Sequence, residues 1–189
     1  MDVLEHLTHE HREVEQLLDQ LSESDEGAER ERLISELESS LGTHMAVEER
    51  FVYPIVKDVL GAEDKHEGVN EHDLARDGLA KLRELSDEPG FGAAVDMLKA
   101  GIGHHVEEEE QDMFPGLRQK AAERIAALGD PEELEQEVEA SGGSSTRSGE
   151  VSGKGELTRD ELYEKAKAAG IEGRSSMTKD ELRSALSKS

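Results

Sequence analysis

Apolar residues recur along the first 128 positions at the spacing of a helix stripe. In residues 2–21, Leu4, Leu7, Val14, Leu18 and Leu21 line up on one face, and His11 falls on the same stripe. This spacing predicts an amphipathic helix with one side turned to a core. A second stripe, Leu33, Leu37, Leu41, His44, Glu48, Phe51 and Ile55, predicts a helix over residues 28–60. Pro54 lies inside it. Proline lacks a backbone N–H and crowds the carbonyl four residues earlier, so a kink is expected between Arg50 and Pro54. His72, Ala75, Leu79 and Leu82 mark a third helix over 63–85, in which Gly68 and Gly78 each cost about 1 kcal/mol relative to alanine. Val95, Leu98, Ile102, His105, Glu109 and Met113 mark a fourth over 91–128, with Pro115 repeating the kink. Residues 22–27, Gly61, Asp87-Glu88-Pro89-Gly90 and Gly129-Asp130-Pro131 are the breaks. Pro131 opens a short acidic extension expected to be helical to Ala140.

Two of these stripes share a motif. His44-x-x-x-Glu48-Glu49 is followed by Tyr53-Pro54, and His105-x-x-x-Glu109-Glu110 by Phe114-Pro115, at an offset of 61 residues. The same offset relates His11 to His72, each preceded by a glutamate (Glu10, Glu71), and Leu18 and Leu21 to Leu79 and Leu82. The first part of the chain therefore reads as two tandem helix pairs. Residues four apart share a helix face, so each copy aims an imidazole and a carboxylate at one point. His11, His44, Glu48, His72, His105 and Glu109 are the candidate metal ligands. Burying six such groups without a common partner would be costly. Imidazole with carboxylate suits a transition metal, and ligand chemistry alone admits iron, manganese or zinc. Two glutamates able to bridge, flanked by histidines, suggest two metal ions. His6, His9 and His66 have no counterpart in the repeat, and His104 with Glu108 is one residue out of register. Tyr53 and Phe114 are expected as core aromatics closing one end of the site.

Composition narrows the picture. Aromatic residues make up 3% and tryptophan is absent, so a core of aliphatic side chains on helices is expected, an all-α chain. The formal net charge is -24, and residues 151–189 carry 8 basic against 7 acidic side chains, so the excess acid lies in the first 150 residues. That body should repel nucleic-acid phosphates and anionic membranes. Cysteine is absent, which excludes disulfides, cysteine-held iron–sulfur clusters and thiolate zinc sites. The first residues show no basic segment leading into an apolar run, and no segment is long and apolar enough to span a bilayer. No leader, no membrane partner and a cytoplasmic location are expected.

Residues 141–155 are rich in glycine and serine and read as a flexible linker. Beyond it, Thr158…Glu161 and Thr178…Glu181 are capping boxes that open two short helices around a glycine-bounded loop. Leu162, Ala166, Ile171, Met177, Leu182 and Leu186 would form a minimal core. Such a module is small for independent stability.

The paired His / His-x-x-x-Glu-Glu pattern resembles the hemerythrin-like (HHE) family of cation-binding domains over residues 1–128. The resemblance implies an up-down four-helix bundle around a non-haem, carboxylate-bridged pair of iron ions. His11, His44, His72 and His105 would be terminal ligands, and Glu48 and Glu109 bridges. Oxygen-carrying members have a further histidine one turn after the third-helix ligand, where this chain has Arg76. That puts reversible oxygen carriage in doubt and raises the question of an open position, or of Glu15 or water completing the shell. Residues 129–155 would form the helical extension and linker. Residues 156–189 resemble the N-terminal helix–loop–helix of the Rho termination factor and SAP-like modules, through Glu161-Leu162-Tyr163 and the run from Gly173 to Lys179. This second resemblance implies nucleic-acid binding through Lys165, Lys167, Arg174, Lys179 and Arg183; a structural or protein-docking role fits as well. Three functions follow. One is a non-enzymatic sensor or binder of oxygen, nitric oxide or iron, the reading we favour. The others are a di-iron enzyme acting on peroxide or nitric oxide, and a metal-storage or buffering protein.

Overall fold

Residues 1–142 are described by the computed structural model, and the tail module with its five basic residues lies outside the described residues. The chain begins with a reciprocal cap. The Asp2 carboxylate accepts from the Glu5 N–H at 2.9 Å, and the Glu5 carboxylate accepts from the Asp2 N–H at 3.1 Å. Two of the helix's first unpaired donors are thereby satisfied. Helix α1 (Val3–Glu23) follows, then α2 (Ala28–Val47), α3 (Tyr53–Val59), α4 (Ala62–Glu84), α5 (Phe91–Glu108), α6 (Phe114–Ala126) and α7 (Pro131–Ala140). No strand occurs among the described residues. The four arms of an up-down bundle are α1, α2 with α3, α4, and α5 with α6.

The expected proline kinks take a specific form. Glu48–Val52 and Glu109–Met113 are π-helical turns, and each leads into a helix with proline in its first turn. The wider turn lets the Tyr53 N–H reach the Glu48 carbonyl and the Phe114 N–H reach the Glu109 carbonyl. A proline placed just inside a new helix start loses no hydrogen bond there. The extra residue also moves the inward register. Val52 and Tyr53 are buried, whereas Phe51, expected inward, is only partly covered.

The core is two apolar clusters with a polar layer between them. One holds Leu4, Leu7, Val52, Tyr53, Phe114 and Leu117; the other holds Leu18, Leu21, Leu37, Leu41, Leu79 and Leu98. Helix α7 belongs to the first cluster through Leu134 and Val138. It is tied further by Arg50, which donates to Ser141 Oγ at 2.9 Å and pairs with Glu137, and by a His6–Glu135 contact. At the far end, Arg30 is buried. It donates to the Ser24 and Ser86 carbonyls at 2.6 and 2.7 Å and lies over the Phe91 ring at 4.1 Å. One guanidinium thus joins the α1–α2 and α4–α5 loops, and no periodicity signals it.

Gly68, which looked like a weak point in α4, answers to Tyr53. A Cβ at Gly68 would stand 2.6 Å from the Tyr53 hydroxyl and 2.8 Å from its ring. Gly68→Ala should therefore destabilise the protein by about 1–3 kcal/mol by overpacking. Gly103, with nothing within 4 Å, should gain up to about 1 kcal/mol as alanine. Denaturant midpoints of the two variants check this; equal shifts would contradict it.

Candidate metal centre

All six expected ligands converge in the polar layer. His11 sits on α1, His44 at the end of α2, His72 on α4 and His105 near the end of α5, and each is buried. Glu48 and Glu109 open the two π turns and are 0% exposed. His44 Nε2 lies 3.4 Å from one Glu48 oxygen and His72 Nε2 3.1 Å from the other, so Glu48 stands between two imidazole pairs. Glu109 Oε2 lies 3.4 Å from His11 Nε2 and 3.6 Å from His105 Nε2.

The outward nitrogen of every ring is held by a glutamate. His11 Nδ1 donates to Glu110 at 2.8 Å, His44 to Glu10 at 2.9 Å, His72 to Glu49 at 2.9 Å and His105 to Glu71 at 2.8 Å. The doubled Glu-Glu of the motif thereby acquires a division of labour: the first carboxylate faces the centre, and the second crosses to orient a histidine of the other half. With Nδ1 donating, a neutral ring presents its Nε2 lone pair inward. His11 and His44 then face each other Nε2 to Nε2 at 3.2 Å, and so do His72 and His105 at 3.2 Å. Two lone pairs at that distance repel unless a cation, proton or metal, stands with them. Both Glu48 oxygens and Glu109 Oε2 are buried with no hydrogen-bond partner. Six ligating groups aimed inward, three of their oxygens orphaned, fit a pair of metal ions.

Without metal, protons meet that need. Burial disfavours a charged imidazole, but Glu48 and Glu10 raise His44 well above its ordinary value. Burial likewise opposes His105, yet Glu71, Glu109 and Glu48 lift it to about 9. Burial also opposes ionisation of Glu48, and His44 and His72 hold it well below the usual carboxylate range. Burial and the Glu48 charge push Glu109 up.

Tyr53 was expected as a packing aromatic and is also polar to the site. Its hydroxyl donates to Glu109 Oε1 at 3.1 Å and lies 3.1 Å from His72 Nε2. Burial pushes its pKa far up, so the hydroxyl keeps its proton. Phe114, its counterpart in the repeat, stacks on His11 and offers no such group. Glu15 does not reach the centre; it is half exposed and pairs with Arg12 at 2.6 Å. Arg76 engages two carboxylates. It donates to Glu49 at 2.6 Å and to Asp73 at 3.1 Å, steadying the carboxylate that holds His72. Arg12 does the same for Glu110. His104 and His9 are exposed, and His6 faces Glu10 and Glu135 away from the centre.

Two cavities reach this layer. One, of about 320 Å³, is lined by Asp64, Glu67, Glu71, Glu108 and Asp112 and ends at His105 and Glu109. Its acids offer cations a path inward. The other, of about 560 Å³, is almost wholly apolar.

A four-helix bundle that points histidines and glutamates from facing helices into its interior is built as a cation-binding bundle. The hemerythrin HHE cation-binding domain matches residues 2–117, and the chain belongs to that family. It is 32% identical over 87 residues to an uncharacterised hemerythrin-like protein of Schizosaccharomyces pombe, across 44% of this chain and 43% of the relative, so the chain spans less than half of that relative's length. A crystal structure of a hemerythrin HHE cation-binding domain-containing protein from Mycobacterium kansasii aligns with a TM-score of 0.63 and 25% identity, covering 76% of this chain and 89% of the other. Helix α7 and the tail lie beyond the family match. No helix among the described residues is long and apolar enough to cross a membrane.

The raised His105 pKa has a consequence for the metal-free protein. Its charged form is favoured by folding, so its contribution to stability is complete below the ordinary 6.5 and is lost as pH rises through about 9. The melting temperature of the metal-free protein should fall across that window, while metal, which replaces the proton, should flatten the dependence. A melting temperature that rises over the same range would contradict this.

Proposed function

We propose that the centre holds two non-haem iron ions, with His11 and His44 on one, His72 and His105 on the other, and Glu48 and Glu109 bridging. We propose further that it serves as a sensor or binder of oxygen, nitric oxide or iron. The observation that carries the reading is the pair of facing Nε2 contacts at 3.2 Å, set around orphaned carboxylate oxygens. Family membership favours iron among the metals that the ligands allow. Once bound, such a pair supplies a redox-active Lewis-acid centre able to take up a small ligand.

The chain's own residues then have distinct tasks. Glu10, Glu49, Glu71 and Glu110 fix the imidazole tautomers and raise their basicity. The two apolar clusters exclude water above and below. Tyr53 holds a proton beside the His72–His105 side, and Phe114 holds none beside the His11–His44 side, so the two halves are chemically unequal. That hydroxyl is the one feature favouring a second reading, an enzyme acting on peroxide or nitric oxide, because it can donate a hydrogen bond beside the centre. For residues 156–189, the resemblance to Rho-type and SAP-like modules supports a nucleic-acid or protein partner for the tail.

Protein loaded with ferrous iron under anaerobic conditions should hold about two ions per chain and change its visible absorption on exposure to air or nitric oxide. His44→Ala and His105→Ala should lose that change, and Glu71→Gln should weaken iron binding about 10- to 100-fold. A spectrum indifferent to both gases would remove the sensing reading. Peroxide turnover faster than free iron, lost in Tyr53→Phe, would favour the enzyme.

A further inference from the structure

The tandem repeat lets one half of the bundle serve as a control for the other. In the first half, Val14 and Leu33 are buried, Leu17 is partly buried, and Glu13 and Glu36 stand in solvent. The offset of 61 places Ala75, Ala94 and Gly78 at the first three positions and Leu74 and Met97 at the last two. Two large interior side chains have become alanine, the space at Gly78 is taken by Leu98, whose Cδ1 would stand 2.8 Å from a Cβ there, and exposed charges have become large apolar groups. Both changes fall on one feature. The small residues line the 560 Å³ cavity, Leu74 and Met97 stand at its mouth at 70% and 78% exposure, and all four inward histidines, His11, His44, His72 and His105, border it. Either change alone is unfavourable, the first because an empty apolar space forfeits packing and the second because exposed apolar side chains favour association.

We propose that this cavity is a binding pocket for an uncharged, mainly aliphatic organic molecule, which enters past Leu74 and Met97 and lays one end against the histidine layer. Its volume falls in the range of about 300–1,000 Å³ typical of small-molecule sites and far exceeds what a diatomic gas needs. The acidic surroundings of its mouth disfavour entry of an anionic head group. The lysine on its wall, Lys81, is paired with Glu84 at 2.8 Å, Asp77 lies one turn before it, and the chain's net charge is -24. A protein partner is disfavoured by area: two apolar side chains at the mouth fall well short of the roughly 800 Å² per partner of a stable interface. Occupancy of the pocket does not require metal; only the delivery of the bound molecule to the centre rests on the di-iron reading.

The test uses the full-length protein, metal-free and iron-loaded, titrated with the neutral fluorophore N-phenyl-1-naphthylamine. Saturable enhancement is expected in both forms, displaced by 1-decanol and at least about tenfold less effectively by decanoate. Ala94→Leu, which restores the residue type of Leu33, should weaken probe binding about tenfold or more by filling the space, with helical circular dichroism and iron content unchanged. Leu74→Glu with Met97→Glu, both at exposed positions, should weaken it several-fold and decides the matter if Ala94→Leu fails to fold. No saturable enhancement in the wild type would overturn the proposal, as would equal affinity in the variants. So would a dimer that binds the probe only once Met97→Glu has made it monomeric, because a second copy would then be the occupant. Iron content measured on the same samples separates the two readings. Probe bound without iron held removes the di-iron centre and keeps the pocket; iron held without probe bound does the reverse.

Discussion

Two pairs of imidazole nitrogens face each other at 3.2 Å in a buried layer, and the rest of the bundle is arranged around that constraint. Apolar clusters lie on both sides of the layer, so its charges gain no solvation along the bundle. A low-dielectric interior penalises unpaired polar groups and strengthens every interaction made with a bound cation. The four outer glutamates prevent the rings from turning away, and the guanidinium groups of Arg12 and Arg76 hold two of those glutamates in turn. The fold gives up stability to hold these ligands together, and a cation restores it.

Three of the breaks in the near-twofold repeat lie at or beside the centre. Tyr53 with Gly68 replaces the Phe114 with Leu7 of the other half, adding one hydroxyl to one side of the centre. Helix α7 extends the apolar cluster that holds Val3 and Val47, whereas their counterparts Asp64 and Glu108 line an acidic cavity. The wall that is filled by Val14 and Leu33 is opened by Ala75 and Ala94. In the last two cases the first half is closed and packed and the second is polar or accessible; in the first, a side chain of the first half makes the His72 side polar. Duplication supplies the ligand set; the departures from symmetry distinguish one side of the centre as its approach.

Much of this was legible in the sequence. Periodicity located the helical arms of the bundle, and the offset singled out six residues that the fold does bring together. What periodicity omits is which neighbour a side chain meets. Glu10 and Glu71 were visible only as residues preceding histidines, and Glu49 and Glu110 only as a doubled letter, because their partners lie on other helices. The π turns were hidden because a proline signals disruption without saying how the backbone absorbs it; the inserted residue then left Phe51 partly covered and buried Val52 instead, while Tyr53 lies in the core as expected. Glu15 looked available by helix spacing, but a nearer cation, Arg12, draws it outward. The apolar cavity leaves no motif at all and appears only when the two halves are compared position by position.

The central claim is that the polar layer is a two-ion site. Anomalous diffraction at the iron edge from crystals of the iron-loaded protein tests it most directly. The account predicts two peaks per chain inside the bundle, one beside His11 and His44 and one beside His72 and His105, with Glu48 between them. A single interior peak, or peaks confined to the outer His6–Glu10–Glu135 and Glu71–His104–Glu108 groups, would contradict it.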